Sequence, residues 1–151
     1  MIRTMKKNLS FLASVAVAAL VMCSACSDDN ETSKLPQFKN ITFSKTTASP
    51  GETIKATVNF SDAGNYVKGT YVYTTSPAIA TGEFTCASPN TKATFDIKIP
   101  EAGETTPEMQ TYTLTVTPKT MAAYAGSAPY IDPSSMGKVT ATFTVVNPIE
   151  E

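Results

Sequence analysis

The chain has 151 residues, which is room for one hydrophobic core, and it carries 12 basic against 13 acidic side chains with no histidine. The lack of histidine removes the commonest general base and metal ligand of proteins. Threonine is frequent and alternates with valine, isoleucine, phenylalanine and tyrosine, as is typical of half-buried strands. The composition therefore predicts an all-β domain.

The first 25 residues are predicted to be a secretory signal that is removed. Three basic residues precede an apolar run, residues 9–22, which is shorter than the roughly 20 residues needed to cross a bilayer. Met1 and Met5 both fit as the initiator. Without this segment the chain keeps nine scattered lysines against 13 acids, a net charge of −4. This balance argues against a nucleic-acid partner, which requires clustered basic residues.

Cys23 and Cys26 stand three residues apart at the end of the apolar run. A thioredoxin-type redox pair would need a helix beside a βαβ unit, and a zinc site would need two further ligands, neither of which the sequence offers. The alternative is cleavage after the small residues Ser24 and Ala25. This pattern resembles the lipobox of bacterial lipoproteins, which implies acylation of Cys26. Cys23 is the minor alternative, because the bulky Met22 precedes it.

The residues after Cys26, "SDDNE", resemble the acidic export tag of lipoproteins in Bacteroidota-type bacteria. The resemblance implies an outer-membrane lipoprotein displayed at the cell surface, with the periplasmic face as the alternative. Three acyl chains would make such an anchor effectively permanent. Residues 26–37 are polar and predict a tether, whose eleven residues after Cys26 reach at most about 36 Å. The folded domain is predicted to cover residues 38–151.

Short alternating segments follow at the spacing expected of a β-sandwich. Gly, Pro, Asn and Asp separate them in turns such as "SPGE", "DAGN" and "SPN". The predicted strands are residues 38–45, 53–61, 66–75, 82–88, 91–99, 110–118 and 138–147.

The alternation assigns one apolar face to each strand. In the second strand Ile54, Ala56 and Val58 oppose Lys55 and Thr57. In the same way Phe95, Ile97, Tyr112, Leu114, Val116, Val67, Tyr71 and Tyr73 are predicted to point inward. Seven one-sided strands can bury one another only as two packed sheets.

The segments "SPGETIKATVNF" and "PEAGETTPEMQTYTLTVTP" look like the B strand and the E-to-F corner with the F strand of immunoglobulin-like modules. The resemblance covers roughly residues 38–147 and implies an immunoglobulin-like sandwich of about seven antiparallel strands. It places Tyr112 at the tyrosine corner. The cysteine pair and the tryptophan of antibody domains are absent, and the resemblance implies no activity.

Few residues of the domain point to chemistry. Alternation places Cys86 inward beside Phe84, which predicts a buried structural thiol over a reactive one. Glu101, Glu104 and Glu108 gather at the predicted corner, but their spacing is not that of a calcium loop, so a solvated acidic turn is expected. No motif supplies a nucleophile or a carboxylate pair with shifted pKa values. The sequence predicts no catalytic site, no metal and no cofactor.

Residues 119–137 form an unusually long connection with an apolar load, including Met136. Such a connection is either functional or a flap that packs on the sandwich. In an immunoglobulin-like sandwich it lies at the same end as the connection "SDAGNY". The predicted binding patch at this end consists of Asp62, Asn65, Tyr66, Met121, Tyr124, Tyr130 and Asp132.

The sequence as a whole predicts a lipid-anchored, non-catalytic module that binds or assembles with a glycan or a neighbouring outer-membrane protein. The absence of tryptophan leaves only tyrosine to stack on a sugar. The alternatives are an inhibitor of a protease, whose loops would plug a cleft, and a structural or adhesive surface subunit.

Overall fold

The computed structural model describes residues 34–66, 68–122 and 132–148, which belong to one unit of the chain, Ser33–Glu151. Within these ranges no helix is long and apolar enough to cross a bilayer. The elements in chain order are β1 (Gln37–Phe43), β2 (Thr47–Ala48), β3 (Thr53–Asp62), β4 (Lys68–Ser76), β5 (Thr81–Cys86), β6 (Lys92–Lys98), β7 (Met109–Ala122), the 3₁₀ turn η1 (Pro133–Met136) and β8 (Val139–Val146).

The strands form two sheets. One has the order β1-β3-β6 and is antiparallel throughout. The other has the order β2-β8-β7-β4-β5, in which only the short pair of β2 with β8 is parallel. The apolar faces of the two sheets share one core. The domain is therefore an all-β, immunoglobulin-like sandwich, as the sequence predicts.

Alternation along the strands builds the core. Ile54, Ala56 and Val58 of β3 are completely buried, while Thr53 and Lys55 are exposed. The same alternation buries Ile97, Leu114, Val116, Phe143 and Val145. A slip of one residue in any of these strands would turn its apolar side chains to water, so the apolar pattern fixes the register.

Two elements differ from the predicted ones. β2 has only two residues, Thr47–Ala48, too few to show a period in the sequence. β7 continues to Ala122, four residues beyond the predicted end. Its ladder with β4 shifts between Thr70 and Tyr71, where Pro118 pairs with Tyr71. Proline lacks an N–H donor, and this bulge lets the strand continue past it.

The domain begins earlier than predicted. Leu35 is 7% exposed and Pro36 is buried, and β1 begins at Gln37. Residues 34–37, predicted as the end of the tether, therefore pack with the sandwich. A polar segment that ends in proline resembles a linker in composition, and only the tertiary structure shows that Leu35 enters the core.

Tyr112 is not a tyrosine corner. Its ring stacks on that of Phe143, directly opposite on β8, with centroids 5.4 Å apart and an angle of 16° between the planes. Among the described residues, no hydrogen bond joins its hydroxyl to the backbone upstream. The inward direction that alternation predicts for Tyr112 is correct, but its role is cross-strand packing.

Candidate functional site

The β3–β4 connection, which with the end of β3 holds three residues of the predicted patch, meets the end of β7. Lys68, the first residue of β4, pairs with Ala122, the last residue of β7. Gln37, the first residue of β1, pairs with Asp62 at the end of β3. The β3–β4 connection, the end of β7 and the start of the domain therefore share one end of the sandwich. Tyr124, Tyr130 and Cys26 lie outside the described residues.

Two residues predicted for the patch are buried instead. Tyr66 is 2% exposed, and Met121 is 6% exposed. The prediction of Met121 as a loop residue is wrong because β7 continues through it and turns its side chain inward beside Gly69. Tyr66 closes the end of the core, and its carbonyl oxygen accepts a hydrogen bond from Ser88 N–H at 3.3 Å. Neither side chain is available to a partner.

Asp62 and Asn65 hold the chain that enters the domain. Lys34 N–H donates to Asn65 Oδ1 at 2.8 Å, and Asn65 N–H donates to the Lys34 carbonyl at 3.0 Å. The Lys34 ammonium also pairs with the Asp62 carboxylate, which accepts a second hydrogen bond from Gly64 N–H at 2.9 Å. The hydrogen bond from the Lys34 ammonium lowers the pKa of the Asp62 carboxyl most, and the hydrogen bond from Gly64 N–H lowers it further. We call this arrangement the Lys34 clamp.

Asp132 also has an internal partner. Its Oδ1 accepts a hydrogen bond from Ser134 N–H at 2.9 Å and caps the turn η1. The turn is fixed to the domain, because Pro133 is buried and Met136 packs against the core. Residues 132–136 of the long connection thus pack on the sandwich.

Two buried tyrosine hydroxyls lack partners. Tyr66 and Tyr71 are each at least 98% buried, and neither hydroxyl has a hydrogen-bond partner among the residues that the structure describes. The Tyr71 hydroxyl lies over Gly69, where an added Cβ would be 2.8 Å from its oxygen. Burial raises the pKa of Tyr71, and the nearby Cys86 adds to the increase. Tyr71 therefore stays protonated in the folded protein, and its hydroxyl costs stability.

A groove of about 490 Å³ that the sequence does not predict lies on the outer face of the three-stranded sheet. It is lined by Lys39, Asn40 and Thr42 from β1, by Asn59 and Phe60 from β3, and by Lys92 from β6. We call it the lysine groove. A β-bulge forms one wall: Phe38 pairs with Phe60 and Asn40 with Asn59, which leaves Lys39 as an extra residue.

A signal for this bulge is present in the sequence. Phe38 and Ile41 both face the core, although they stand three residues apart, an odd spacing that a regular strand cannot turn to one face. The strand must therefore gain one residue between them. Hydrophobic alternation over the segment "FKNITF" could have identified the bulge at the two polar residues, but not the groove that it helps to form.

The other predicted groups show no convergent chemistry. Cys86 is half-buried against the core, with Sγ 3.6 Å from the Asn90 carbonyl, and burial raises the pKa of its thiol. Glu101, Glu104 and Glu108 are exposed. Within the described part of the chain, no three His, Cys, Asp or Glu side chains converge as metal ligands would.

Comparison with known proteins identifies no family. No protein-family model and no curated protein matches the chain. One similar solved structure is a domain described as part of a cell surface protein of Methanosarcina acetivorans (16% identity, TM-score 0.41, covering 74% of this chain and 93% of that one).

Two further solved structures are similar to the chain. One is the CARDB domain of a Pyrococcus furiosus protein in complex with di-metal ions (10% identity, TM-score 0.42, covering 79% of this chain and 99% of that one). The other is the sporulation control protein of Bacillus subtilis (12% identity, TM-score 0.34, covering 77% of this chain and 50% of that one). No function follows for this chain from likenesses at these identities and TM-scores.

Proposed function

We propose that the chain is a non-catalytic lipoprotein, anchored through Cys26 at the outer face of the outer membrane, which serves as an accessory binding or assembly module for a glycan or a neighbouring membrane protein. The lipobox-like sequence and the acidic residues after it support the address. The observation that carries the proposed role is the Lys34 clamp, because it sets where the domain is attached.

The clamp shortens the free tether. Lys34 is bonded to the β3–β4 connection, so only the residues between Cys26 and Lys34 can separate the domain from its anchor. At 3.3 to 3.6 Å per residue, these eight steps span at most about 28 Å. The end of the sandwich at which the chain enters is held beside the membrane. This attachment favours a partner that is embedded or anchored in the same membrane.

A change of tether length tests this proposal. The full chain is expressed with about 20 flexible Gly and Ser residues inserted before Ser33, and proteins cross-linked to it in intact cells are identified by mass spectrometry. A longer linker lowers the effective concentration of the domain near a membrane partner. We expect the unmodified chain to cross-link to a membrane component and the lengthened chain to give a lower yield of the same product.

An insertion that avoids contact with the clamp leaves the sandwich unchanged, which a thermal melt verifies. Equal yields from both chains, or cross-links to soluble proteins alone, would contradict a role at the membrane. A product that is a soluble protease would instead favour the inhibitor alternative.

A further inference from the structure

The lysine groove carries positive charge without an internal counter-charge. Among the described residues, the ammonium groups of Lys39 and Lys92 take part in no ion pair. The same holds for three lysines outside the groove, Lys68, Lys98 and Lys138, whereas the other four lysines each pair with a carboxylate. No carboxylate is among the residues that line the groove. The chain after Cys26 has a net negative charge, whereas the groove carries two lysines and no carboxylate. The groove is therefore a local positive site, which favours an anionic ligand.

Neutral hydrogen-bonding residues separate the two lysines in the sheet, since Asn40, which follows Lys39, pairs with Asn59, and Asn59 pairs with Lys92. Asn59 Nδ2 donates to Asn40 Oδ1 at 2.9 Å and to Thr42 Oγ1 at 3.3 Å. These bonds use the oxygen of Asn40. Among the described residues, the amide N–H groups of Asn40 and the side-chain oxygen of Asn59 have no partner, so the former can donate and the latter can accept. Donors and acceptors side by side between the two lysines match a molecule that carries both hydroxyls and acid groups.

The shape of the site narrows the class of ligand. A volume of about 490 Å³ lies in the range of small-molecule sites. The site lies on a sheet face rather than along a free strand edge, so a peptide cannot bind there by adding a strand. Phe60, the aromatic residue in the lining, is 5% exposed and offers no ring for stacking on a neutral sugar.

We propose that the lysine groove binds an acidic saccharide, with Lys39 and Lys92 contacting its carboxylate or sulfate groups and Asn40 and Asn59 its hydroxyls. This inference rests on the proposed function and names the class of glycan. Binding through charge also accounts for a glycan-binding role in a chain without tryptophan.

Binding of polysaccharides to the detergent-solubilised full chain tests the inference. The probes are polygalacturonate, which carries carboxylates, chondroitin sulfate, which carries both acid groups, and dextran, which is neutral. We expect an acidic polymer to bind and dextran not to bind. Because exposed charges are screened within about 10 Å at 0.1 M salt, binding should weaken between roughly 50 and 300 mM salt.

Matched double variants separate the groove from the overall charge. Lys39→Gln/Lys92→Gln should lower the affinity about tenfold or more, since it removes two charged contacts. Lys68→Gln/Lys98→Gln changes the net charge by the same amount at exposed lysines outside the groove, and it should leave the affinity within about twofold. Deletion of Lys39 is a third variant. It should restore regular pairing, with Phe38 still opposite Phe60, and should also weaken binding.

Three results would overturn the inference: equal losses from the two double variants, binding to dextran alone, or binding to vesicles of anionic phospholipid but to neither acidic polymer. The cross-linking test of the proposed function does not depend on Lys39 or Lys92. A chain that keeps its membrane partner but binds no acidic saccharide would refute the ligand class and retain the proposed function.

Discussion

Leu114 has no exposed surface and lies on β7 between the two sheets. Leu114→Ala is expected to lower the free energy of unfolding by about 2 to 5 kcal/mol, because it removes buried methyl groups and leaves a cavity. Lys55→Ala is the control: Lys55 is exposed, and its pair with Asp96 at 3.2 Å contributes at most about 1 kcal/mol. Urea denaturation measures both, and equal losses would contradict the register.

Tyr71 offers a stabilising substitution. Tyr71→Phe keeps the ring that stacks on Phe84, with centroids 5.2 Å apart, and removes a buried hydroxyl without a partner. The free energy of unfolding is expected to rise by about 1 kcal/mol, since folding no longer strips water from that hydroxyl. Tyr112→Phe, at a half-buried residue, is expected to have little effect. A loss of stability in Tyr71→Phe would show that an internal partner, such as a water molecule, binds the hydroxyl.

The same hydroxyl makes stability depend on alkaline pH. The pKa of Tyr71 is raised in the folded protein, so above the ordinary tyrosine value of about 10 the unfolded chain releases a proton that the folded chain retains. The free energy of unfolding is therefore unaffected by this titration below pH 10, and it falls as the pH rises above 10. Urea melts from pH 9 to 11 should show a shallower decline for Tyr71→Phe.

At the scale of elements, the β3–β4 connection depends on Gly64. Its φ is +64°, and an added Cβ would lie 2.4 Å from the Lys34 carbonyl oxygen. A residue with a Cβ in the left-handed conformation costs about 1 to 2 kcal/mol. Gly64→Ala should lower the free energy of unfolding by more than this, because the clash also opens the Lys34 clamp.

The matched control is Gly103→Ala, where the nearest atom to an added Cβ is Thr106 Oγ1 at 3.8 Å. Both substitutions remove the same freedom from the unfolded chain, so their difference reports on the folded state. Thermal melts of the two variants measure it, and a Gly64→Ala variant as stable as Gly103→Ala would refute the close approach.

The long β7–β8 connection is tested by Tyr124→Ala/Tyr130→Ala. The sequence predicts that these two tyrosines contact a partner, since tyrosine gives a large contact area at low entropic cost. We expect the double variant to stay folded and to lose a partner in a pull-down from solubilised outer membrane. A stable double variant that retains every partner would contradict the predicted patch. An unfolded one would show that the tyrosines pack on the sandwich, as Met136 does.

At the scale of the whole molecule, the proposed anchor on Cys26 sets where the domain is expected to act. Mass spectrometry of the mature N-terminus is expected to find acyl chains on Cys26. Cys26→Ser should abolish acylation, while Cys23→Ser, which changes a neighbouring thiol in the same way, should leave it intact. An unacylated Cys26 in an uncleaved chain, or acyl chains on Cys23, would contradict the predicted processing.

The sequence by itself determined the sandwich. Each of the seven predicted strands appears in the structure, because alternation of apolar and polar residues is a local consequence of the pleat and needs no knowledge of neighbouring strands. For the same reason it predicted the inward faces of β3 and β7. β2, with its two residues, carries too little pattern, and the extension of β7 past Pro118 depends on a bulge set by its partner β4.

Only the tertiary structure decided which polar residues are free to bind. Asp62, Asn65 and Asp132 look like exposed loop residues in the sequence, yet Asp62 and Asn65 hold Lys34, and Asp132 caps its own turn. Lys39 and Lys92 stand 53 positions apart in the sequence and meet in one groove only because β1 and β6 flank β3. A local pattern determines the face on which a side chain lies. Its neighbours there come from distant parts of the chain, so the pairing of strands determines its partners.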